Sequence, residues 1–85
     1  MKRIFVDVRE PFEYASGHVE GALNIPPRAI LSGAPQLDNV DKDTELVLYC
    51  RSGSRSNTAI HLLRNLGFTN LVNGINKEQI QSKYF

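Results

Sequence analysis

Cys50, the one cysteine of the chain, stands in "VLYCRSGSRSNTA" between an apolar run and a polar segment of arginine, serine and glycine. The nucleophilic form of cysteine is the thiolate. A free thiol titrates near ~8.5, whereas helix N-termini and neighbouring arginines lower that to between ~3.5 and ~7.5. The segment Cys50-Arg51-Ser52-Gly53-Ser54-Arg55-Ser56 joins a strand-like run to a helical pattern. Such a junction offers unpaired backbone N–H groups and the positive end of a helix dipole to an anion. Gly53 permits a tight turn with its amides pointing inward, and Arg51 and Arg55 are placed to hold an anionic substrate against the sulfur. The competing reading is a structural cysteine on a Gly/Ser junction, since free cysteine is among the most often buried residue types. Arginines on both sides of a turn that opens a helix favour the nucleophile.

Other polar residues read as scaffold. Asp7, Arg9 and Glu13 lie at the end of a strand-like run and the start of a helix, where an ion-pair and hydrogen-bond lock is expected more than acid/base chemistry. His18, between Gly17 and Val19, has no second ligand at usable spacing and is expected to be a turn residue bonded to backbone. His61 falls on the polar side of an amphipathic stripe and is expected in solvent. No metal site and no cofactor are expected.

The elements that must position Cys50 follow from the pattern. "RIFVDV" (3–8) reads as a strand, and "EPFEYAS" (10–16) as a short helix with Pro11 in its first turn and Gly17 at its stop. "ALNI" (22–25) is a second strand ended by Pro26-Pro27, and "ELVLY" (45–49) a third, apolar enough to be buried on both faces. Residues 27–43 give no clear pattern. Ala59, Leu62, Leu63 and Leu66 fall at helical spacing, with Arg64 in the last turn and Gly67 as the stop. "TNLVN" (69–73) reads as a fourth strand and "KEQIQSKY" (77–84) as a terminal helix. Strands alternating with helices predict one α/β domain over residues 1–85, with a small, mainly parallel sheet covered by helices on both faces. Ligands in such folds gather at the carboxyl ends of the strands, where Cys50 sits.

Composition narrows the functions. At 41% hydrophobic and 22% charged residues, the 85-residue chain has the balance of an ordinary globular domain, and no stretch reaches the ~18 apolar residues of a membrane span. A net charge of +1 argues against nucleic acid or a membrane surface as partner. A single cysteine cannot close an internal disulfide, so the fold suits a reducing compartment. Asp7 interrupts the apolar run after Lys2 and Arg3 before it reaches a secretory core. The chain as it stands is expected in the cytoplasm, or in the periplasm had a signal peptide been removed ahead of residue 1. Nothing demands more than a monomer.

Two separated motifs now add a resemblance. "FVDVREPFEYASGHVEGALNIP" (5–26) resembles the opening of rhodanese-like domains, and "YCRSGSRS" (49–56) resembles their active-site loop. The likeness runs over about residues 3–72, and the short single-domain bacterial sulfurtransferases of the phage-shock-protein E type are nearest in size. The resemblance implies a rhodanese-like α/β fold and transfer of sulfane sulfur from thiosulfate to cyanide or a thiol through a persulfide on Cys50. Arg51, Ser52, Gly53, Ser54 and Arg55 would form the substrate cradle, with Asp7, Arg9, Glu13 and His18 in support. One departure stands out: many family members carry a Gly-Gly-x-x-x-Trp element after the fourth strand, where this chain reads "NGINKEQI" without tryptophan. Two other functions compete, a cysteine phosphatase or arsenate reductase of related fold and a non-catalytic binding or redox-sensing module. The phosphatase loop carries five residues between cysteine and arginine, whereas four separate Cys50 from Arg55 here.

Overall fold

A computed structural model describes residues 2–85. Four strands, β1 (Arg3–Asp7), β2 (Leu23–Asn24), β3 (Glu45–Cys50) and β4 (Leu71–Asn76), form an all-parallel sheet in the order β2-β1-β3-β4. Helices α1 (Pro11–Ala15), α2 (Pro27–Leu31), α3 (Ser54–Asn65) and α4 (Lys77–Tyr84), with a 3₁₀ turn at Pro35–Leu37, fill the connections. The α/β expectation is met.

Strand alternation sorts the core into two faces. Val6, Leu46, Leu48 and Cys50 pack with Ile30 of α2 and Ala59, Ile60 and Leu63 of α3. Phe5, Val47 and Tyr49 pack on the other face with Tyr14 of α1 and Ile80 and Tyr84 of α4. Cys50 thus shares a face with α3, whereas its neighbour Tyr49 belongs to the opposite core. α3 buries Ser56, Ala59, Ile60 and Leu63, a rotation of the expected stripe that leaves Leu66 at the rim, 36% exposed. It ends as read from Gly67, which takes φ +101° while the Phe68 N–H bonds back to the Leu63 carbonyl.

Three boundaries differ from the sequence reading. Pro27 opens α2, where its missing N–H is harmless, so the proline pair that ends the second strand also begins a helix. β2 is confined to Leu23–Asn24. β4 starts at Leu71 and continues through Gly74, Ile75 and Asn76, because a register shift opposite Leu48 and Tyr49 lets the strand pass an irregular stretch and stay paired to Cys50. Among the described residues, no helix is long and apolar enough to cross a membrane.

Candidate active site

β3 delivers Cys50 to the carboxyl edge of the sheet with only 2% of its surface exposed. The chain then turns at Gly53, whose φ of +92° lies in the left-handed region, and α3 starts at Ser54. That turn points the Gly53 N–H at Cys50 Sγ, 3.1 Å away, while Ser56 Oγ stands 3.6 Å from the sulfur. Burial pushes the thiol up. Hydrogen bonding with the Ser56 hydroxyl and the N–H groups of Ser56, Gly53 and Ser52 outweighs it and brings Cys50 down to about 7. The loop's own dipoles therefore lead this activation, ahead of the arginine charges expected from the sequence.

The two arginines are placed differently from one another. Arg55 closes its fork on Glu13, with Nη1 at 2.8 Å from Oε1 and Nη2 at 3.2 Å from Oε2. This contact, with the Glu10 N–H, holds the Glu13 carboxyl down at about 2. Arg51 reaches the same carboxylate only at 3.9 Å, and its side chain is 77% exposed. Arg55 is thus a brace from α3 to α1, and Arg51 is the loop cation open to a ligand. Glu13 joins the loop and not the Asp7–Arg9 pair. Ser52 and Ser54 are exposed, their hydroxyls 3.2 Å apart.

Asp7 and Arg9 form a buried lock of their own. The Arg9 guanidinium bonds both Asp7 oxygens and donates to the Gly17 carbonyl at 2.7 Å. The Tyr49 hydroxyl donates to Asp7 Oδ2 at 2.9 Å and accepts from the Val19 N–H at 3.0 Å, so β1, β3 and the turn after α1 meet at one carboxylate. Burial pushes Tyr49 up to about 12 and keeps it a donor. His18 bonds the Tyr14 carbonyl through Nδ1 at 2.8 Å and stacks on the Tyr14 ring, while His61 is exposed. Among the described residues, no group of three or more His, Cys, Asp or Glu is placed to hold a metal ion.

Cys50 opens on a cavity of about 300 Å³. Arg9, Ser16 and Gly17 wall it on one side, Arg51 on another, and Asn76, Lys77 and Glu78 at the start of α4 on a third. The family profile described as "Rhodanese-like domain" matches residues 1–77. The chain belongs to the rhodanese-like domain family.

Relatives carry this domain in different settings. The chain is 40% identical over 68 residues to a tRNA uridine(34) hydroxylase of Cronobacter sakazakii, matching 76% of this chain and 20% of that protein. It is 36% identical over 70 residues to a sulfurtransferase of Allochromatium vinosum, matching 82% of this chain and 63% of the relative. The rhodanese-like domain thus spans about a fifth of the first and less than two thirds of the second. Among solved structures, a rhodanese with anions from E. coli superposes with a TM-score of 0.75 at 31% identity, covering 92% of this chain and 91% of that one. The human single-domain sulfurtransferase TSTD1 gives 0.76 at 28%, covering 96% and 84%.

Tyr49, Ser56, Asn73 and Lys77 are among the residues of this rhodanese-like site that the sequence did not single out. Tyr49 was visible only as strand, although its place beside the cysteine gives it the opposite face. Ser56 lies in the first turn of α3, where its hydroxyl folds back on the Gly53 carbonyl and toward the sulfur. Asn73, which accepts from the Ser56 hydroxyl and donates to the Gly53 carbonyl, and Lys77 come from beyond β3, and their approach follows from the register Cys50↔Asn76, for which no local signal exists.

Proposed function

We propose that this rhodanese-like domain is a thiosulfate sulfurtransferase. The Cys50 thiolate attacks the outer sulfur of thiosulfate, the sulfur–sulfur bond of the donor breaks, and sulfite leaves with the electron pair. A persulfide remains on Cys50. Cyanide or a thiolate then attacks the outer persulfide sulfur, becoming thiocyanate or an acceptor persulfide, and the Cys50 thiolate is regenerated. No outside oxidant or reductant is needed in this cycle.

The observation that carries the reading is the Gly53 N–H on Cys50 Sγ at the mouth of a polar cavity. Inward N–H groups support a thiolate near neutral pH and are suited to receive negative charge at the sulfur. Arg51, exposed beside the same cavity, is the cation available to the sulfonate oxygens of a dianionic donor. A sulfurtransferase among the relatives and a single-domain sulfurtransferase among the similar structures support the same chemistry.

The test is the intact mass of the protein after incubation with thiosulfate and removal of excess donor. A gain of one sulfur atom, reversed by cyanide with release of thiocyanate and absent in Cys50→Ser, is the expected result. Cys50-dependent hydrolysis of an aryl phosphate faster than sulfur transfer would overturn it.

A further inference from the structure

Ser56 is fully buried, and its hydroxyl has a single proton with three acceptors around it. Asn73 Oδ1 lies at 2.7 Å, the Gly53 carbonyl at 3.1 Å and Cys50 Sγ at 3.6 Å. Two of these have other donors. Asn73 Oδ1 also accepts the Ile75 N–H at 3.0 Å, and the Gly53 carbonyl also accepts Asn73 Nδ2 and the Asn57 N–H, each at 3.0 Å. The Ser56 proton can therefore leave either oxygen without stranding a buried acceptor, which would otherwise cost about 1–3 kcal/mol.

We infer that Asn73 is a positioning residue for Cys50: its side-chain oxygen holds the Ser56 proton while the cysteine is a thiol and yields it to the sulfur when the cysteine ionises. In the thiol state the S–H donates to Ser56 Oγ and Ser56 donates to Asn73. On ionisation the thiol proton leaves through the cavity to water, and the Ser56 hydroxyl turns onto the thiolate. Only the S–H bond breaks.

The Asn73 amide also fixes both ends of this arrangement. Its Nδ2 anchors the Gly53 carbonyl at the turn that aims an N–H at the sulfur, and its Oδ1 closes a side-chain turn on Ile75. Ile75 takes φ +73°, a conformation that a β-branched residue adopts only when its surroundings impose it. The inference rests on the reading of Cys50 as the nucleophile, but alkylation measures the thiolate directly and does not depend on persulfide formation.

The charged groups around Cys50 are Arg51 from the loop, Arg55 with Glu13 from α3 and α1, Arg9 with Asp7 from the end of β1, and Lys77 and Glu78 from α4. All are kept in the test. The pH midpoint of iodoacetamide alkylation is measured for the unsubstituted protein, Asn73→Asp, Ser56→Ala and the double variant. A carboxylate at position 73 grips the Ser56 proton, so Asn73→Asp raises the midpoint by about one unit. In the Ser56→Ala background the same change has about half that effect or less, because the proton it acts through is gone. Equal shifts in both backgrounds would reveal a bare charge effect and overturn the inference, as would no shift at all. A measurement on the unsubstituted protein guards against variants that fail to fold: the Ile75 amide resonance should titrate with the Cys50 midpoint and cease to do so in Ser56→Ala. An Ile75 resonance that ignores the midpoint would also overturn it.

Discussion

Gly53→Ala separates backbone conformation from side-chain space at the cysteine loop. A Cβ added at Gly53 would meet Ile75 Cγ2 at 3.4 Å and Asn73 Nδ2 at 3.6 Å, ordinary contact distances, so crowding is not the obstacle. The obstacle is φ, +92°, which costs an L-residue with a side chain roughly 1–2 kcal/mol. For a domain of this size each kcal/mol lowers the melting temperature by roughly 4–8 °C. Alanine escapes the strain by rotating the turn, and rotation takes the Gly53 N–H off the sulfur. Cys50 then climbs from about 7 toward the ~8.5 of free cysteine. At pH 7 the thiolate falls from about half of the molecules to about 3%, a roughly fifteenfold loss in alkylation rate. Thermal melting and the pH profile of iodoacetamide alkylation read the two effects. A variant that melts and alkylates like the unsubstituted protein would refute the reasoning, since neither the turn nor its N–H would then matter to the thiol.

Gly74 is the steric counterpart: its Cβ would lie 2.8 Å from Ile80 and 3.0 Å from Val47, so Gly74→Ala should cost about 1–3 kcal/mol in urea unfolding. Asp7→Ala strands buried Arg9 and Tyr49 and should cost about 3–5 kcal/mol, against about 1–3 for Tyr49→Phe, by the same unfolding measurement. Cys50 is an acid whose folded pKa is depressed, so its contribution to stability is complete above ~8.5 and disappears as pH falls through about 7. Unfolding free energy followed across that window should rise by about 2 kcal/mol relative to Cys50→Ser, in which the slope is absent. Arg51→Ala should impair transfer from thiosulfate by about tenfold or more while sparing an uncharged sulfur donor, and steady-state rates with both donors check it.

The cysteine loop was legible because its determinants are local. A lone thiol at the end of an apolar strand, a glycine three residues on and a helical pattern beyond already imply N–H groups aimed at sulfur. Both motifs of the family resemblance are local in the same sense. What was hidden depended on distant partners or on residues with two meanings. The pairing of Arg55 with Glu13 was hidden because the two lie 42 residues apart. Pro26-Pro27 stops a strand and opens a helix with the same atoms. Asn73-Gly74 carries the composition of a turn, yet the pairing of Asn73, Ile75 and Asn76 to β3 holds the segment in a strand. The α3 stripe had the right period but the wrong phase, because Ile60 and Leu66 are equally apolar and only the sheet beneath decides which is covered.

The parallel order of the sheet has a consequence for the life of the chain before it is complete. Strands that run the same way cannot meet through a hairpin, so Asp7 reaches Tyr49, and Cys50 reaches Asn76, only after whole crossover segments have docked. The N–H groups that tune the sulfur are close to it in sequence, but the turn that aims them is anchored at the Gly53 carbonyl by Asn73 of β4, which arrives only with such a closure. On a nascent or partly unfolded chain the cysteine is an ordinary thiol, about 97% protonated at pH 7 and correspondingly slow toward oxidants and electrophiles. Reactivity is conferred last. The rate of labelling at Cys50 is therefore a chemical reporter of completed assembly, able to distinguish finished from unfinished molecules in a mixed population.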